Sequence, residues 1–228
     1  MLIGDMPFGS YETSPEHAYS NAIRFLKEAG MDAVKLEGGI ERAETVKMLV
    51  QGGVAVFGHI GLRPQAFSVI GGYRAQGRTA ESALKLLEDA KALEAAGACA
   101  LVLECVPAEV GKAITENTSI PVIGIGAGPH TDGQVLVYHD VLGMMEHEHY
   151  KKVSPKFCKQ YASLGTAAVK ALQSYRDDVL NGSFPSMQYS PYKMHEGEVE
   201  LLEKELKRLL GDKTPSQKDV SEPETKVY

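Results

Sequence analysis

Six short apolar runs recur along this chain, and a helical pattern follows most of them; that alternation constrains the fold more than any single motif does. The runs are Leu2-Ile3-Gly4-Asp5, Ala33-Val34-Lys35-Leu36-Glu37, Val54-Ala55-Val56-Phe57-Gly58-His59, Ala100-Leu101-Val102-Leu103-Glu104, Ile120-Pro121-Val122-Ile123-Gly124-Ile125-Gly126-Ala127-Gly128, with alternating glycines, and Gln134-Val135-Leu136-Val137-Tyr138-His139-Asp140. Between them, Ser14 caps a helix with Pro15 at its first position, and Gly30 stops it after about Ala29. Further helices are expected over residues 41–51, 80–96 and 108–117, and the chain after Asp140 to about Asn181 is expected to be mostly helical. Strand and helix in alternation, with apolar strands, is the pattern of a parallel sheet covered by helices.

In such sheets the strand C-termini and the loops after them form one face, where ligands bind. Asp5, Glu37, His59, Glu104 and Asp140 are all expected there. The glycines at 124–128 lack GxGxxG spacing and come late in the chain, so a dinucleotide site on a doubly wound sheet fits poorly. A (β/α)8 TIM barrel fits better, present here as about six βα units. Two units are then expected to be missing before Met1, as in a truncated gene product or an incomplete gene model, which would leave two unpaired edges. Residues 1–192 read as the partial barrel. Residues 193–228 read as an amphipathic helix with the stripe Val199, Leu202, Leu206 and Leu209, a docking or oligomer helix, followed from Gly211 by a polar, disordered tail.

Composition narrows the partners. With 228 residues, 43% of them hydrophobic, the chain can bury a sizeable core. A formal charge of −6 without a basic stripe argues against nucleic acid and anionic membranes, leaving a small molecule as the default partner. Cys99, Cys105 and Cys158 are odd in number and have no CxxC spacing, so they read as reduced thiols in an intracellular protein. No apolar run approaches the ~20 residues that span a bilayer.

The segment from Ile60 to Arg78 is longer than an ordinary connection and is expected to be functional. In the second run, Lys35 and Glu37 share one strand face while Val34 and Leu36 share the other. A buried ion pair is one account of them. Asp5 and Glu37 also offer hard oxygens of the kind Mg²⁺ takes. Lys35 suits either a point charge for a substrate carboxylate or a Schiff base, and the neighbouring acid favours the charge. Glu104, at the end of an apolar strand, suits a general base or a partner for a nearby cation. His59 fits an oriented structural group better than a proton carrier.

Seven segments taken together, Gly4-Asp5-Met6-Pro7-Phe8, Val34-Lys35-Leu36-Glu37-Gly38-Gly39, Gly58-His59-Ile60-Gly61-Leu62, Gly71-Gly72-Tyr73, Leu103-Glu104-Cys105-Val106-Pro107, Ile123-Gly124-Ile125-Gly126-Ala127-Gly128 and Asp132-Gly133-Gln134, resemble the ketopantoate hydroxymethyltransferase family in order and spacing over residues 1–185. The resemblance implies a barrel of the phosphoenolpyruvate/pyruvate class that makes ketopantoate from 3-methyl-2-oxobutanoate and 5,10-methylenetetrahydrofolate in pantothenate synthesis. By position, Asp5 and Glu37 would be Mg²⁺ ligands, Asp5 and Lys35 would contact the oxo acid, and Glu104 would be the base that yields a Mg-stabilised enolate. A further Asp-Ser pair of the family belongs on a strand before Asp5. The resemblance also implies a homo-oligomer, a decamer, in the cytoplasm or the mitochondrial matrix. Two other readings are a non-catalytic fragment that associates through its edges, and a related oxo-acid lyase with glycines 124–128 holding a phosphate.

Overall fold

The computed structural model describes residues 1–145 and 155–211. The chain divides into two compact units, Met1–Ala167 and Ala168–Tyr228. In the first, the order is β1 (Ile3–Asp5), α1 (Pro15–Lys27), β2 (Ala33–Glu37), α2 (Ala43–Gln51), β3 (Ala55–Gly61), α3 (Phe67–Ile70), α4 (Ala80–Ala95), β4 (Ala100–Glu104), α5 (Ala108–Asn117), β5 (Val122–Ile125), β6 (Gly133–Gln134) and α6 (Tyr138–Val141). α7 (Leu164–Leu180) begins there and continues into the second unit, which also holds α8 (Glu198–Leu210).

All six strands are parallel, and their order in the sheet is their order in the chain. A doubly wound sheet would reverse order at a switch point; an unbroken order is that of a barrel wall. Among the described residues β1 pairs only with β2 and β6 only with β5, so the sheet is a curled, open part of a barrel.

The strands form where residues of the two faces differ in kind. Val34, Leu36, Val56, Leu101, Leu103 and Val122 are fully buried on the face that meets the helices, against Ala18 and Ala22 of α1, Val46 and Leu49 of α2, Leu93 of α4 and Ile114 of α5. Each such aliphatic side chain contributes ~1.5–3 kcal/mol by leaving water. Slipping β2 by one residue would exchange Val34 and Leu36 for Lys35 and Glu37, so this face fixes the register. The helices start as their cap residues require. Ser14 Oγ accepts from His17 N, and Thr79 with Ser82 closes a reciprocal capping box on α4.

The last strand differs from expectation. Only Gly133 and Gln134 pair with β5, and Val135 N closes the ladder on Gly124 O at 3.0 Å. β5 ends at Ile125 and Gly126 turns the chain away at φ +65°, so nothing is left for residues 136–140 to pair with. Tyr138–Val141 forms a short helix instead, which takes Asp140 off the strand ends. In the second unit, Phe184 meets Tyr175 edge-on and Tyr189 at a tilt, at 5.6 and 5.4 Å between ring centroids. α8 bears the expected stripe, with Val199, Leu202, Leu206 and Leu209 all exposed. The expected tail from residue 212 lies outside the described residues.

Candidate active site

With Gly4, Val34, Leu36, Val56, Leu101 and Leu103 turned to the helices, alternation sends Asp5, Lys35, Glu37, His59 and Glu104 to the other face. Parallel pairing then brings them level: Asp5 lies opposite Lys35, Glu37 opposite His59, and Gly61 opposite Glu104. The result is a line of contacts across four strand ends. Lys35 Nζ donates to Asp5 Oδ1 at 2.7 Å and to His59 Nδ1 at 3.3 Å. His59 Nε2 lies 3.1 Å from Glu104 Oε2 and 2.8 Å from the Leu62 carbonyl oxygen. Side-chain exposure falls from 57% at Asp5 through 19% at Lys35 to 4% at His59, with Glu104 at 13%, so the line runs from solvent into the wall of the site.

Glu37 stands beside this line, 6% exposed. Its Oε2 accepts from Gln65 N at 3.0 Å. Burial pushes its carboxyl above the usual range and the Asp5 charge adds to the rise, while His59, the Gln65 N–H and the Lys35 ammonium, in that order, pull it down.

Two side chains that the sequence did not single out hold this corner. Tyr11, 2% exposed, donates from its hydroxyl to Gln65 Oε1 at 2.8 Å and accepts from Glu37 N at 3.3 Å. Gln65 Nε2 donates to Met6 O at 2.9 Å, so the loops after β1 and β3 are tied together over Glu37. Burial pushes the Tyr11 phenol up to about 12, and it stays a donor at any ordinary pH. The length of the 60–78 segment signalled function, but nothing in its composition pointed to Gln65.

Gly61, at φ +88°, needs to be glycine: a Cβ there would run into the backbone carbonyl of Glu104. Cys105, next to Glu104, has φ +52°, and burial followed by the Glu104 charge pushes its thiol up to about 11. It is no thiolate nucleophile at neutral pH. A Cβ on Gly126 would come within 2.5 Å of the Phe157 ring and one on Gly128 within 2.5 Å of Ala108 Cβ. Close packing thus accounts for these glycines without a phosphate.

For a metal, Asp5 and Glu37 are the carboxylates on this face that could offer oxygen donors. Among the described residues no group of three or more His, Cys, Asp and Glu side chains is arranged around one ion. Two carboxylates, one of them raised by burial and by the other's charge, suit a cation that keeps water and substrate oxygens in the rest of its shell, which is the habit of Mg²⁺.

A family model for ketopantoate hydroxymethyltransferase matches residues 1–187. The chain belongs to the ketopantoate hydroxymethyltransferase family. It is 53% identical over 217 residues to 3-methyl-2-oxobutanoate hydroxymethyltransferase 1, mitochondrial, of Arabidopsis thaliana, covering 95% of this chain and 62% of that one. Against the rice protein of the same name it is 54% identical over 201 residues, covering 88% and 55%. Against 3-methyl-2-oxobutanoate hydroxymethyltransferase of Heliobacterium modesticaldum it is 52% identical over 190 residues, covering 83% and 67%. The chain therefore spans between about half and two thirds of the length of these relatives. No helix among the described residues is long and apolar enough to cross a membrane.

Proposed function

We propose that this chain acts as a 3-methyl-2-oxobutanoate hydroxymethyltransferase, joining a one-carbon unit from 5,10-methylenetetrahydrofolate to C3 of the oxo acid to give ketopantoate for pantothenate synthesis. The observation that carries the reading is the contact line Asp5–Lys35–His59–Glu104, which presents an ammonium and a carboxylate base on one face of the sheet.

An ammonium has three hydrogens to donate, and Asp5 and His59 take two of those of Lys35. The third serves the substrate carboxylate as a point charge. Asp5 contacts the oxo acid beside it. Glu104 accepts the C3 proton, and the electron pair left at C3 forms the new bond to the methylene carbon of the folate. The two bonds from that carbon to folate nitrogens break, and water supplies the hydroxyl. The two nitrogens take up one proton from water and the one that left C3, so the step balances. Mg²⁺ bound by Asp5 and Glu37 would supply Lewis-acid polarisation of the 2-oxo group.

The test is exchange of the C3 proton of 3-methyl-2-oxobutanoate in D₂O with no folate present, followed by NMR. Exchange that requires Mg²⁺ supports the reading; a chain that binds the oxo acid without exchanging it contradicts the reading. For the metal, Glu37→Gln should weaken Mg²⁺ binding by calorimetry, and unchanged binding would leave the Lys35 neighbourhood as an ion pair only.

A second reading, in which the chain works in a homo-oligomer, rests on β1 and β6 each having one strand partner among the described residues and on exposed Leu2, Val199, Leu202, Leu206 and Leu209. Sedimentation equilibrium reads it directly. The plant relatives are named as mitochondrial, which supports the mitochondrion as the compartment.

A further inference from the structure

We infer that His59 is a positioning residue for the base: a neutral imidazole, fixed as the Nε2–H tautomer, that holds the Glu104 carboxylate in the orientation needed to take a proton. The tautomer follows from geometry alone; the role in proton transfer rests on the functional reading above.

Both ring nitrogens have partners that permit one role each. Lys35 Nζ, 3.3 Å from Nδ1, has only hydrogens to give, so Nδ1 accepts and is bare. The Leu62 carbonyl, 2.8 Å from Nε2, can only accept, so Nε2 carries the hydrogen. Two independent partners thus fix the same neutral tautomer. The contact with Glu104 at 3.1 Å is then a hydrogen bond from a shared N–H rather than an ion pair.

The surroundings keep the ring in place. His59 is 3% exposed and lies in register between Glu37 of β2 and Val102 of β4. The acceptor it shares is fixed to the same strand end, since Leu62 N donates to the Glu104 carbonyl at 2.8 Å. Glu104 Oε2 is therefore held, while Oε1 has no hydrogen-bond partner among the described residues and is the oxygen left to meet a proton. A neutral donor is well matched to this role, because it orients a carboxylate without the loss of basicity that a full positive charge beside it brings.

Two measurements test this. In ¹⁵N NMR of the histidine-labelled chain, with His59 assigned by its loss in His59→Gln, the ring should show hydrogen on Nε2 and none on Nδ1 near neutral pH. An Nδ1–H tautomer or an imidazolium overturns the inference. In the C3-proton exchange assay, His59→Leu should slow exchange by ~10–100-fold, the scale typical for losing the partner that orients a reacting group. The KM for the oxo acid should change much less than the rate, because Lys35 loses its contact with His59 but keeps its charge and its Asp5 partner at 2.7 Å. His59→Gln, which keeps an amide N–H on a side chain of similar reach, should recover most of the rate. Exchange at the parent rate in His59→Leu overturns the inference, as does loss in both variants with a raised KM and a lowered melting temperature, which marks a structural role only. A parent chain without any exchange sinks the functional reading instead, and the tautomer measurement then decides this inference by itself.

Discussion

Replacing Tyr11 by Phe keeps the buried ring and removes one oxygen, so its effect can be worked out from two hydrogen bonds. The lost hydroxyl donated to Gln65 Oε1 at 2.8 Å and accepted from Glu37 N at 3.3 Å. The Glu37 N–H is left buried without a partner, which costs ~1–3 kcal/mol, whereas the half-buried Gln65 carbonyl can recruit water and loses ~1 kcal/mol or less. Together these give a destabilisation on the order of 2–3 kcal/mol. In a domain of this size each kcal/mol moves the melting temperature by ~2–4 °C, so a drop of ~5–10 °C is expected. Circular dichroism melts give the shift, and urea titration should show a lower midpoint at unchanged slope. The effect should shrink in a Gln65→Leu background, because the two residues act through one another. A shift below ~1 °C, or the full shift persisting in that background, refutes the reasoning that this pair holds the Glu37 corner.

Glu37 titrates with a sign opposite to that of a typical paired carboxylate. Its folded value is raised by burial, so the native state holds its proton more tightly than the unfolded chain does, and stability falls as pH rises from the ordinary 4.5 through the raised value. Glu37→Gln should therefore melt above the parent at neutral pH, with the gap closing below 4.5; a variant less stable at neutral pH contradicts this. Gly61→Ala adds a strained left-handed residue and pushes against the Glu104 carbonyl, and should cost ~2 kcal/mol or more in urea unfolding, whereas a neutral effect would mean that the two strand ends can move apart freely. Cys105, with its thiol near 11, should be alkylated by iodoacetamide at pH 8 far more slowly than free cysteine, as read by mass spectrometry, and rapid labelling would place it in a more open setting.

Much of this arrangement was legible because strand alternation ties chemistry to packing. Val34 and Leu36 had to face the helices, so Lys35 and Glu37 had to face away from them, and the same reasoning placed His59 and Glu104 at neighbouring strand ends. The 134–140 run misled because its apolar residues satisfy a strand pattern that only a partner strand could realise, and β5 stops at Ile125. Tyr11 and Gln65 were not legible at all. Each lies in a segment without periodicity, and their importance comes from a long-range contact spanning 54 residues that local pattern cannot show. His59 was foreseen as an oriented group, but that it touches both Lys35 and Glu104 depends on the relative level of three strands, which only pairing registers supply.

If Glu104 is the base, the decisive comparison is the rate at which the C3 proton of 3-methyl-2-oxobutanoate exchanges with D₂O in the parent chain and in Glu104→Gln, followed by NMR with substrate saturating and no folate present. The amide fills the same space but cannot accept a proton, so exchange should fall by ~10²–10⁴, the usual worth of a general base, while oxo-acid and Mg²⁺ binding stay near the parent values. Exchange at the parent rate in Glu104→Gln would contradict the assignment and place the base elsewhere.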